Sequence, residues 1–137
     1  VVWSADDPVA RARIPGRGAL RAQRPFSAGG APAAIRAETI AVSPDGARFT
    51  LRDGEHATPV RLRVPGQHNV ANALAAYGAV RAAGIAADAA VASLGRFAGA
   101  GRRFEHLGDR GGVRVIDDYA HHPAEIRAAI GAARAAY

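Results

Sequence analysis

At Pro65-Gly66 the hydrophobic pattern of this chain changes its period, and that change limits what the chain can fold into. Before it, Phe49/Leu51 and Val60/Leu62/Val64 alternate with arginines and polar residues, as strands with one buried face do. The dipeptides Asp45-Gly46 and Asp53-Gly54 supply tight turns, so the stretch from Leu20 to Val64 reads as a small antiparallel sheet, with residues 27–32 as a loop. After it, Val70, Ala73, Leu74, Tyr77 and Val80 form a helical stripe that stops at Gly84. A second helix is expected from Ala87, with Val91, Leu94 and Phe97 on one face. A chain carrying both periods is α/β in class.

The two ends follow the same logic. Val1 to Ser4 is a short β-prone run, and Asp6-Asp7-Pro8 is an N-cap and first-turn signature for a helix reaching about Ile14. Gly99-Ala100-Gly101 is the best domain boundary, dividing the chain into 1–101 and 102–137. Beyond it, Arg103–Leu107 and Val113–Ile116 read as strands around Asp109-Arg110-Gly111-Gly112. Pro123 opens a last helix whose apolar face would be Ile126, Ala129, Ile130 and Ala133. Strand, loop and helix in that order are how an α/β sheet begins.

Composition narrows the function. With 49% apolar residues in 137, the chain can bury a core. Every basic residue is arginine, and the net charge of +6 is spread over both halves. One Trp, three Tyr and four Phe do not form the aromatic-interleaved basic patch of a nucleic-acid binder, so no nucleic-acid partner is expected. There is no cysteine, no apolar run of membrane-spanning length and no signal-peptide pattern, so no membrane partner is expected either. The absence of methionine predicts that the chain is part of a longer polypeptide.

Three constellations could carry chemistry. In Gly66-Gln67-His68-Asn69-Val70-Ala71-Asn72-Ala73, Asn69 and Asn72 share one helix face. Their carboxamides suit the edge of an adenine ring, or else cap the helix and meet solvent. In Gly101-Arg102-Arg103-Phe104-Glu105, adjacent arginines on an extended segment point opposite ways, so at most one aims into a given cleft. That guanidinium would match phosphate oxygens; otherwise the pair is a solvated surface feature. In Asp117-Asp118-Tyr119-Ala120-His121-His122-Pro123, two acids stand at the end of a strand, where open α/β sheets bind ligands. There an acid could accept from a ribose hydroxyl, the acids and histidines could hold a divalent metal, or one Asp could anchor the loop beside a capping His122.

Taken together, these segments resemble the Mur ligases, ATP-dependent amino-acid ligases of peptidoglycan precursor synthesis. Residues 66–76 match the G-x-H-N-x-x-N-A-x-A-A helix start, and residues 97–105 match the hinge into the C-terminal domain. Residues 117–126 match D-D-Y-[AG]-H-H-P-T-E-[IV], with Ala124 where Thr is usual. That last pattern typifies the branch joining L-alanine to UDP-N-acetylmuramate, and Ala5-Asp6-Asp7-Pro8 resembles its D-D-P helix start.

The resemblance implies an enzyme of three domains. Residues 1–101 would be the C-terminal half of the central ATP-binding domain, and 102–137 the start of a Rossmann-like C-terminal domain. ATP with Mg²⁺ would activate the lactyl carboxylate of UDP-N-acetylmuramate as an acyl phosphate for attack by L-alanine, in the cytoplasm. Carried over, Asn72 contacts adenine with Asn69 in support, Arg103 reaches ATP phosphate, Asp118 holds the ribose and His122 lines the amino-acid side. The family's P-loop and Mg²⁺ ligands are absent from these residues and are expected in a missing N-terminal portion of the same polypeptide. No metal ligand is therefore assigned within the chain. Three alternatives stand beside this reading: the recycling ligase that adds a tripeptide to the same UDP-sugar, an inactive nucleotide-binding module, and a metal-dependent hydrolase using Asp117, Asp118, His121 and His122. Tyr119 and Glu125 favour the alanine-adding branch over the tripeptide-adding one.

Overall fold

The computed structural model describes residues 1–18, 20 and 22–137. Arg21, inside the stretch read as β, lies outside the described residues. The elements run β1 (Val2–Ser4), α1 (Pro8–Arg13), β2 (Arg24–Ser27), β3 (Ile35–Ser43), β4 (Gly46–Asp53) and β5 (His56–Leu62). Then come α2 (Gln67–Ala82), α3 (Ala87–Arg96), β6 (Glu105–Arg110), β7 (Val113–Asp117) and α4 (Pro123–Ala136).

Strands β1 to β5 form one sheet in sequence order, and β6 and β7 form a separate hairpin. The expected antiparallel sheet is in fact mixed. β3–β4 and β4–β5 are antiparallel, but β1–β2 and β2–β3 are parallel. A helix between two strands carries the chain back to its starting edge, so β1, α1 and β2 produce a parallel pair. β2 and β3 overlap only at Phe26/Ile35 and Ser27/Arg36, so their connection need not run back along a strand.

The core lies between this sheet and α2. Phe49, Leu51, Val60 and Leu62 on the sheet's inner face are buried, as are Ile35 and the α2 residues Val70, Ala73, Leu74 and Tyr77. Each fully buried aliphatic side chain contributes about 1.5–3 kcal/mol. Two helical stripes differ from their expected form. On α2, Gly78 is buried and Val80 is exposed. A Cβ at Gly78 would stand 2.9 Å from Val2, so the helix reaches β1 only because that position has no side chain. On α4 the buried residues are Ala132 and Ala136, while Ile126 and Ile130 are exposed. Close approach again selects small residues, since Ala132 packs where a Cβ on Gly66 would stand. No helix among the described residues is long and apolar enough to cross a membrane.

Candidate functional site

The period change at residue 66 also builds the site. Gly66 is the N-cap of α2 with φ 100°, a conformation that favours glycine. A Cβ there would also fall 2.6 Å from the His68 ring. The turn is held on two sides: Asn69 Nδ2 donates to the Pro65 carbonyl at 2.7 Å, and Gln67 Nε2 donates to Ala28 O at 3.0 Å.

The 28–34 loop that Gln67 meets is fixed from far along the chain. Asp6 accepts from Ser27 Oγ and from the amides of Ala28 and Gly29 at 2.7–2.9 Å. Partial burial pushes the Asp6 carboxyl up, but these hydrogen bonds outweigh it and hold the group below the ordinary carboxylate value. Of the two acids read as a helix start, only Asp7 caps α1, accepting from Ala10 N at 2.8 Å. Nothing in the local pattern marks Asp6 for a contact 21 residues away.

A cleft of about 680 Å³ opens between the end of β5, α2, α3 and the 99–103 segment. Its walls are apolar, with Leu62, Val64, Ala73, Leu94 and Phe97 among them, and Asn69, Asn72 and Arg103 supply polar groups. Residues 34 positions apart in the chain thus meet at one opening. Asn69 is committed to Pro65, whereas Asn72 makes no side-chain hydrogen bond among the described residues. An apolar slot with a carboxamide and a guanidinium suits a planar heterocycle carrying an anionic group.

The two arginines do point apart, but not as neighbours on an extended strand: β6 begins only at Glu105. Arg103 lines the cleft. Arg102 turns away, its Nε 3.2 Å from Asp117 Oδ2 and its guanidinium 5.2 Å from the Tyr119 ring centre. The backbone on either side of Arg103 is unusual: Arg102 has φ 58° and Phe104 φ 51°, both left-handed. Such a conformation costs a residue with a side chain roughly 1–2 kcal/mol, so something must hold each one.

Asp118 supplies part of that hold. Its Oδ2 accepts from Phe104 N at 2.9 Å and its Oδ1 from Ala120 N at 2.8 Å. Asp118 does not line the cleft that Asn72 and Arg103 share. His122 lies elsewhere too, as the N-cap of α4 in a capping box with Glu125. Glu125 accepts from the amides of His121 and His122, which holds its carboxyl below the usual range. Asp117, Asp118, His121 and His122 are each engaged separately. The described residues contain no cluster of three or more His, Asp or Glu that could hold a metal ion, so the Mg²⁺ implied by the resemblance finds no ligand set here.

His68 stands inside the motif, where the sequence alone marks no role for it. Burial pushes its imidazole below the usual value; the Asp118 charge opposes that shift and the Arg103 charge adds to it. His68 therefore senses both the cleft arginine and the segment that holds it.

The family described as Mur ligase middle domain matches residues 1–80, and Mur ligase, glutamate ligase domain, matches residues 102–137. A UDP-N-acetylmuramate–L-alanine ligase of Clavibacter michiganensis is 45% identical over 137 residues, covering 98% of this chain and 27% of that protein. The protein of the same name from Oleidesulfovibrio alaskensis is 50% identical over 103 residues, covering 75% of this chain and 23% of its own. The chain thus spans about a quarter of the length of these relatives. Among solved structures, a MurF of Acinetobacter baumannii superposes with TM-score 0.80 at 27% identity, covering 99% of this chain and 29% of that one. The UDP-N-acetylmuramate-alanine ligase MurC of Thermotoga maritima gives TM-score 0.67 at 30% identity, covering 81% and 26%.

Proposed function

This chain belongs to the Mur ligase family, and from that membership we propose that it is part of an ATP-dependent ligase that joins L-alanine to UDP-N-acetylmuramate in the cytoplasm. The observation that carries the reading is the meeting of Asn72 and Arg103 at one apolar-walled cleft. The apolar walls would take the adenine of ATP and Asn72 would meet its edge, while Asn69 keeps the helix start in place through Pro65. Arg103 offers a permanently charged planar fork to the phosphates. ATP supplies the leaving group that makes a carboxylate reactive toward an amine.

Residues 1–101 contribute the adenine side and residues 102–137 the groups that hold Arg103, so the nucleotide site is shared across the Gly99-Ala100-Gly101 boundary. Asp118 retains acceptor capacity for a ribose hydroxyl beyond its two backbone partners. His122, at the N-cap of α4, is the residue that the family resemblance puts on the amino-acid side. Tyr119 and Glu125 support L-alanine over a tripeptide as the amine.

The test is amide formation by the polypeptide that carries this chain, given UDP-N-acetylmuramate and ATP with either L-alanine or the tripeptide. Product with L-alanine and little with tripeptide is expected. Turnover only with tripeptide would reassign the chain to the recycling branch, and none with either would remove the ligase reading.

A further inference from the structure

The hinge between the two parts of the chain shows how one arginine of an adjacent pair comes to face the cleft. Three backbone or side-chain bonds join residues 102–104 to the end of β7 and the two residues that follow it. Tyr119 N donates to Arg102 O at 2.7 Å, Phe104 N to Asp118 Oδ2 at 2.9 Å, and Arg102 Nε to Asp117 Oδ2 at 3.2 Å. Arg103 is thus bracketed on both sides by groups from residues 117–119. Both flanking residues adopt left-handed φ without being glycine. Asp118 is itself fixed by Ala120 N on its other oxygen, so the acceptor is aimed before Phe104 reaches it.

We propose that Asp118 is a positioning residue for Arg103: by accepting the Phe104 amide it holds the chain left-handed at 104 and turns the Arg103 side chain into the cleft. This role is separate from any contact of Asp118 with a ribose. Without the acceptor, the Phe104 amide loses its partner and the residue relaxes toward the extended region, which re-aims Arg103. A glycine at 104 adopts positive φ without a clamp, so it substitutes for the missing carboxylate. A residue that only touched a ligand could not be rescued that way.

The experiment compares the 137-residue chain with Asp118→Ala, Asp118→Asn and the double variant Asp118→Ala/Phe104→Gly by ¹⁵N NMR, with dispersed spectra confirming the fold of each. Without ligand, the starting chain should show the strong intraresidue HN–Hα contact of positive φ at Arg102 and Phe104, and slow amide exchange at Phe104. Asp118→Ala should lose both features at Phe104, and Asp118→Asn, which keeps one acceptor, should lose less. If Asp118→Ala keeps both, Asp118 does not hold the hinge and the proposal falls, whatever the chain binds. With ADP added, the slope of the Arg103 Nε–Hε shift against concentration should drop about tenfold in Asp118→Ala, the scale of one lost charged hydrogen bond. The double variant should recover most of it. Positive φ restored at 104 without recovery of that slope would mean that Asp118 acts on the ligand directly, and would overturn the proposal. An unresponsive Arg103 in the starting chain would instead count against the nucleotide reading, leaving the ligand-free arm to decide the positioning role.

Discussion

Asn69 donates its side-chain amide to the carbonyl of Pro65 at 2.7 Å. Asn72, one turn further along α2, reaches the same cleft with no such commitment among the described residues. The two asparagines are therefore predicted to fail differently. Asn72→Ala should leave the thermal midpoint unchanged and weaken ADP binding. Asn69→Ala should cost about 1 kcal/mol of stability, the value of one hydrogen bond, and weaken ADP only through the loosened turn. Thermal melts beside an ADP titration of each variant separate the two outcomes.

The arginine pair gives a second contrast. In the polypeptide carrying this chain, Arg103→Lys should lower kcat/KM for ATP by roughly tenfold, since lysine keeps the charge but loses the planar fork. Arg102→Lys should act mainly on stability, because Arg102 is spent on Asp117 and Tyr119. Steady-state kinetics with ATP varied would expose a reversed assignment at once.

Acidification should destabilise the chain through His68 before the carboxylates respond. Its imidazole is held below the ordinary histidine value of 6.5, so the unfolded chain binds the extra proton more readily. The stability it contributes is complete above 6.5 and declines as pH falls through the lower folded value. Asp6 and Glu125 are also depressed, from 3.8 and 4.5, and their contributions are lost only at more acidic pH. Urea midpoints between pH 8 and pH 5 should fall, and His68→Gln should flatten that slope. An unchanged slope would place the imidazole in solvent.

Tyr77 anchors α2 to the end of β4. Its hydroxyl donates to Asp53 Oδ2 at 3.1 Å, within an acidic position also approached by Arg24 and Arg81 at 3.9 and 3.8 Å. Tyr77→Phe should cost about 1 kcal/mol, because the ring stays and only the hydrogen bond goes. Leu74→Ala, which empties a fully buried site on the same helix, should cost about 2–5 kcal/mol. Chemical denaturation of both variants checks the order.

What the sequence reveals and what it hides divide along physical lines. Helix α2, the Asp7 cap and the hairpin turns are local, so propensity and periodicity suffice to find them. The parallel pairing of β1 with β2 is not legible in strands of three and four residues, whose direction is set by α1 between them. Periodicity locates an apolar stripe but not what covers it, which is why Val80, Ile126 and Ile130 are exposed while Gly78 and Ala132 are the close contacts. Spacing alone leaves Asn72 as a solvated residue and does not choose between Arg102 and Arg103; the family resemblance is what singles out Asn72 and Arg103. The clamp of Asp118 on Phe104 is not legible at all, because left-handed backbone at Arg102 and Phe104 has no glycine to announce it.

Whether this cleft receives a nucleotide through Asn72 and Arg103 is decided by titrating the ¹⁵N-labelled 137-residue chain with ADP. The Asn72 side-chain amide and the Arg103 Nε–Hε should both shift with ADP concentration. Affinity should be no tighter than about millimolar, since these residues include no lysine for a phosphate loop. Both shifts should be lost in Asn72→Ala. Shifts confined to residues outside the cleft, or no shifts at all, would mean that the nucleotide does not bind there.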